Sequence, residues 1–193
     1  MTIRFISDLH FGHTNILAFD KRPYTNIEDH DKDLIHRWNS VVKNPKDITY
    51  ILGDIFWRPA EESLEIVKQL RGRKVLITGN HDKFVGKSGT ANQLLRTHFE
   101  EITELKTINL EKKKIILCHY PIPQFNGHFK DTTIHLYGHI HATFEYDLMR
   151  KWIAEGRLPE NGRAANLMYN VGAMMPYMDY TPRTLEYILE NGE

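Results

Sequence analysis

The chain has 193 residues, of which 41% are hydrophobic and 26% charged, a balance that excludes a wholly disordered protein. Lys+Arg and Asp+Glu both number 25, so the formal net charge is zero and the basic excess usual in non-specific nucleic-acid binders is missing. A single cysteine, Cys118, excludes an internal disulfide and a cysteine-based zinc finger, and no stretch approaches the roughly 20 apolar residues needed to cross a bilayer.

In chain order, the N-terminal segment Met1–His13 meets charged residues too early for a secretory apolar region, so a cytoplasmic, reduced protein is expected. Ile3–Ser7 is an apolar run that ends at Asp8-Leu9-His10. Ile27–Val42 carries Leu34, Ile35, Trp38 and Val41 at helical spacing, with His30 and His36 expected on its polar face. Ile48–Leu52 ends at Gly53-Asp54, and Ala60–Leu70 reads as a helix behind Pro59. Lys74–Thr78 ends at Gly79-Asn80-His81-Asp82, and residues 91–98 form a weaker helical pattern. Leu105–Leu110 and Lys112–Cys118 predict a hairpin, whose second strand ends at His119-Tyr120-Pro121. Thr133–Tyr137 ends at Gly138-His139-Ile140-His141. Residues 142–165 read as an inserted helix and loop rather than a second domain, and 182–190 as a closing helix. A single domain over 1–193 is expected.

Strands alternating with helices predict an α/β domain with a largely parallel or mixed sheet, in which ligands bind beyond the carboxyl ends of the strands. All five polar segments lie at such ends. Eleven histidines are present, and histidine is the commonest metal ligand. Two divalent cations need a bridging carboxylate and further nitrogen and oxygen ligands, and Asp8, His10, Asp54, Asn80, His119, His139 and His141 supply that set. The pairs Asp8-x-His10 and His139-x-His141 are expected to be extended, so that alternate side chains reach one centre. Imidazole and carboxylate without thiolate suit Mn, Fe, Zn, Ni or Co better than Mg or Ca.

The motifs DxH, GD, GNHD, H and GHxH, in this order, resemble those of the calcineurin-like metallophosphoesterase superfamily, as a small single-domain member of bacterial or phage type. The tail, Asn170-Val171-Gly172 then Thr184-Leu185-Glu186, is similar to its closing strand and helix. The resemblance implies a four-layer α/β/β/α sandwich with two mixed sheets flanked by helices. It implies that Asp8, His10 and His141 bind one metal, that Asn80, His119 and His139 bind the second, and that Asp54 bridges them. Hydrolysis would follow from attack of metal-held hydroxide on phosphorus. His81 would donate to the leaving oxygen, and Asp82 would orient that imidazole.

Arg58 stands where related Ser/Thr phosphatases carry a phosphate-contacting Arg, but Trp57 replaces their preceding acidic residue, so a structural role is the alternative. His13 is a candidate for the phosphate or for the start of the next helix, and His128 a candidate to face substrate from its loop. The remaining histidines, Trp38, Trp57 and Trp152, and the basic clusters Arg71–Lys74 and Lys112–Lys114, are read as packing or solvated surface. The resulting expectation is a dinuclear phosphoesterase acting on small phosphodiesters or nucleotides. A phosphomonoesterase or a nuclease for RNA or DNA is the alternative, and a non-catalytic metal-binding scaffold a remote one. A small phosphorylated substrate is the expected partner, with no membrane; nucleic acid is not indicated by the net charge, and the oligomeric state is left open.

Overall fold

A computed structural model describes residues 1–156 and 166–192. Two four-stranded sheets form its centre. The first contains β1 (Ile3–Ile6), β2 (Ile48–Ile51), β3 (Arg73–Ile77) and β4 (Glu101–Thr103), in that order. The second contains β5 (Leu105–Leu110), β6 (Lys113–Cys118), β7 (Thr133–Tyr137) and β8 (Leu167–Asn170). The four strands of the first sheet are parallel, and its antiparallel element is a lone bridge between Phe5 and Arg183. The second sheet is mixed, antiparallel between β5 and β6 and parallel beyond. The expectation of two mixed sheets is thus corrected for the first, because the connections between its neighbouring strands are crossovers and not hairpins.

Side-chain alternation explains the layering. Along β7, Ile134 and Leu136 join the large apolar cluster that also contains Ile51 and Ile77 of the first sheet. Tyr137 points the other way, into a second cluster with Ile116, Phe125, Ile153 and Met168. β7 is buried on both faces and reads as Thr-Ile-His-Leu-Tyr, a short β-favouring segment ended by Gly138, which made it visible in the sequence. Helix α2 (Ile27–Val41) and α3 (Ala60–Val67) bring Leu34, Trp38, Leu64 and Val67 to the first cluster. Ile153 of α5 (Phe144–Gly156) belongs to the second. The result is helices, sheet, sheet, helices, as expected.

Local chemistry sets the helix ends. Asn26 caps α2 by accepting from Asp29 N, and Glu28 and Asp29 lie where the helix dipole favours acid. Thr184 caps α6 (Leu185–Asn191) in the same way, accepting from Tyr187 N. Two short elements had no sequence signal, α1 (Ile16–Phe19) and β4. α4 (Thr90–Arg96) corresponds to the weak pattern at 91–98. The expected insertion begins with α5, and its residues 157–165 lie outside the described part. No helix among the described residues is long and apolar enough to cross a membrane.

Two surface readings are corrected. His30 is fully buried against Arg22 and Asp31, not on a polar helix face. Lys74 is only 6% exposed; its ammonium donates to Leu70 O at 2.7 Å and Gly72 O at 2.9 Å, and burial pushes its pKa down to about 8.

Candidate metal centre

Every expected ligand lies just beyond the carboxyl end of a strand: Asp8 and His10 after β1, Asp54 after β2, Asn80 after β3, His119 after β6, His139 and His141 after β7. The backbone there is not extended. Asp8, His10, Asp54, His139 and His141 have φ of 56°, 52°, 55°, 69° and 48°. The expected extended pairs are therefore corrected: left-handed turns bring these side chains to the centre. Such a conformation costs a non-glycine residue on the order of 1–3 kcal/mol and persists where surrounding contacts over-determine it. Here they do. Asp8 N donates to Gly53 O and His10 N to Asp54 O, both at 3.0 Å, and His139 N donates to the Asp8 carboxylate at 3.1 Å. A Cβ at Gly79 would meet the Asp54 carboxylate, and one at Gly138 the Ser7 and Asp8 side chains, so these turns require glycine by close approach.

Two groups of side chains have ligand atoms mutually within 4.8 Å: Asp8, His10 and His141; and Asp8, Asp54 and His119. His141 Nε2 lies 3.5 Å from Asp8 Oδ1 and His119 Nε2 3.6 Å from Asp54 Oδ2. Asp8 is common to both groups, while Asp54 Oδ2 is also 3.8 Å from His10 Nε2 and so reaches from the first to the second. The Asn80 Oδ1 atom is 3.1 Å from His119 Nε2. His139 packs its ring against His119 and Tyr120, at centroid distances of 5.0 and 4.6 Å, and belongs to neither group.

The donor set fits a divalent cation. Both ring nitrogens of His10 are buried without a protein partner, an arrangement that is costly unless a ligand satisfies them. Burial, with the nearby Arg22 guanidinium, drives the His10 pKa well down, so the ring is neutral and its lone pair free. His119 donates Nδ1–H to Leu52 O at 2.6 Å and His141 donates Nδ1–H to Asp20 Oδ1 at 2.8 Å, which leaves Nε2 of each facing the centre. Burial, with Asp8 beside it, pushes the Asp54 carboxyl up despite the neighbouring His119, a penalty that a cation between the carboxylates would reverse.

Residues with no motif signature hold this set in place. The Arg22 guanidinium donates to Asp8 O at 2.9 Å and Leu9 O at 3.0 Å, pinning the left-handed segment, and pairs with Asp20 at 2.7 Å. Its other partner is His30 Nε2 at 2.9 Å. Asn170 donates to His141 O at 2.9 Å from the opposite side. Sequence reading passed over Asp20 and Arg22 because they follow a one-turn helix with no periodicity; their only signal was opposite charge two positions apart.

Asp82 is also a scaffold group. Its buried carboxylate accepts from Gly79 N at 2.8 Å, Asp54 N at 2.9 Å and Ile55 N at 3.1 Å. It ties two ligand turns together and makes no contact with the His81 ring, which corrects the expectation that it orients that imidazole. Burial pushes its pKa up to about 6. His81 itself is one-third exposed, with Nε2 3.9 Å from Asp54 Oδ2, and Trp57 packs beside it at 4.3 Å. His13 stacks on the same Trp57 at 3.8 Å and lies 5.4 Å from His10, so it reaches the rim of the centre. Arg58 pairs with Asp31 and Glu62 and lines a cavity that it shares with His81. His128 hydrogen-bonds Asn166 at 3.0 Å and joins neither ligand group.

With fold and centre in hand, the chain belongs to the calcineurin-like phosphoesterase family, whose model matches residues 1–164. It is 37% identical over 142 residues to the uncharacterized protein MJ1445 of Methanocaldococcus jannaschii, covering 72% of this chain and 69% of that one. It is 30% identical over 130 residues to the gene 66 protein of Mycobacterium phage L5, covering 61% and 62%. The crystal structure of AQ665 from Aquifex aeolicus, a protein of unknown function, superposes with a TM-score of 0.68 at 26% identity over 97% of each chain. Family membership and the two ligand groups together support metal-dependent hydrolysis of a phosphate ester.

Proposed function

We propose that the protein is a dinuclear metallophosphoesterase for small phosphodiesters or nucleotides. The observation that carries this reading is the convergence of Asp8, His10, Asp54, His119 and His141 on adjoining, buried ligand groups, with His81 at their open side. In it, Asp8, His10 and His141 hold one cation, Asn80, His119 and His139 the other, and Asp54 is shared. Bound divalent transition-metal ions would polarise the phosphoryl oxygens and bring the pKa of water towards neutrality. Hydrolysis joins a water oxygen to phosphorus and breaks the bond to the alcohol. His81, exposed towards the cavity and held at the rim by Trp57, gives the departing oxygen a hydrogen bond or proton. In this reading His13 contacts the phosphate, which its stacking on Trp57 and its approach to His10 support.

The test is a panel of mono- and diesters, cyclic nucleotides and short RNA with Mn, Fe, Zn, Ni and Co, alongside metal analysis of two variants. His81→Ala should lower turnover about 10²–10⁴-fold on an ester with a poor leaving group while metal content holds. Asp54→Asn should lose metal as well. Full turnover by His81→Ala on such an ester would remove His81 from the acid role, and no turnover with any metal would sink the enzymatic reading.

A further inference from the structure

Next to the metal centre is a cavity of about 230 Å³ that no step above uses beyond His81. It lies between the start of α3, the 3₁₀ turn at Lys83–Val85 and the start of α4. Its walls divide by chemistry. Phe56 and Phe84 are buried and stack edge-on at 6.1 Å, and with Trp57 they give an aromatic floor. The rim carries Lys83, Lys87 and the Asn92 amide. Arg58 is held by Asp31 and Glu62, whereas no carboxylate among the described residues pairs with Lys83 or Lys87. The space is below the 300–1,000 Å³ usual for drug-sized ligands, so it suits one ring and not a peptide or a folded nucleic acid.

We propose that this cavity is the leaving-group subsite, and that it selects a compact, ring-bearing alcohol carrying a second negative charge, as a nucleotide does. The inference rests on the phosphoesterase reading. His81 is the shared wall: it faces Asp54 on one side and the cavity on the other, so an alcohol leaving past His81 enters this space. The aromatic floor accepts the ring, and the two unpaired ammonium groups favour a phosphate or carboxylate on it.

The experiment compares phenyl with 3-carboxyphenyl leaving groups, which differ in charge but little in basicity, each as the phosphomonoester and as the methyl phosphodiester. The wild type should prefer the carboxylate-bearing ester about tenfold in kcat/KM at low ionic strength, chiefly through KM, and less so in high salt. In Lys83→Ala/Lys87→Ala the ratio should fall to about one. A wild-type ratio near one, or a ratio that survives the double substitution, overturns the proposal. If no ester is hydrolysed, the phosphoesterase reading fails first, and titration of metal-loaded protein with the same two monoesters still decides the subsite. Tighter binding of the charged one, lost in the double variant, supports it; equal binding overturns it.

Discussion

At the scale of single residues, the candidate centre depends on side chains that belong to neither ligand group. Arg22 is the clearest. Its planar fork reaches Asp8 O, Leu9 O and Asp20 at once, a geometry that a lysine ammonium cannot reproduce. Arg22→Lys should therefore release the left-handed Asp8–His10 segment and loosen Asp20 behind His141. Calorimetric metal titration should give about 10–100-fold weaker binding, the usual cost of losing a group that orients a ligand. An unchanged Kd would mean that the segment holds its conformation without the clamp. Such residues were the least legible in the sequence. Asp8 announced itself through its spacing to His10 and His141 through the Gly-His-x-His motif, whereas Arg22 and Asp20 work through backbone carbonyls and a ring nitrogen, which leave no spacing rule. Asp82 was legible as part of GNHD but not in its role, because a carboxylate that collects three backbone amides looks in sequence like one that orients an imidazole.

At the scale of elements, the apolar runs were easy to place and their ends were not. The Ile115–Cys118 stretch of β6, which feeds both apolar clusters, shows as an unbroken apolar segment, and the hairpin of β5 and β6 fell where turn signals put it. β4, three residues long with no fully buried side chain, had nothing to show. The positive φ of five ligand positions was invisible, since Asp and His, although enriched in that region over other side chains, adopt it in only a small minority of positions, and the assembled contacts impose it here. The hairpin offers a test of the same physics away from the centre. Leu110 pairs with Lys113, so Glu111 and Lys112, with φ of 51° and 62°, form a two-residue turn of the I′ kind. Replacing them together by Asn-Gly should raise stability by about 1 kcal/mol, a midpoint increase of roughly 2–4 °C in thermal unfolding. A loss of stability instead would mean that the long side chains contribute more than the strain costs.

For the whole molecule, the two sheets and the centre form one thermodynamic unit. The ligand groups draw on both sheets, with Asp54 after β2 facing His119 after β6. A cation bound there and not in the unfolded chain stabilises the fold by mass action, about 2.7 kcal/mol per ion at a hundredfold excess over Kd. Removing metal with a chelator should lower the unfolding midpoint by roughly 5–10 °C for each ion lost, and adding it back should restore the loss. Asp54→Asn should show a smaller response to metal. A midpoint indifferent to chelation would argue against tight ligation by these residues.

The first ligand group joins residues 8 and 10 to residue 141. During synthesis, the Asp8–His10 pair is made well before its third member, which follows His10 by 131 residues (141 − 10). A growing polypeptide therefore cannot capture a cation in its finished geometry, and loading comes only after β1 and β7 have found their places. A cation held by this group would thus report that long-range assembly has succeeded, since a misassembled chain lacks the complete set of ligand atoms.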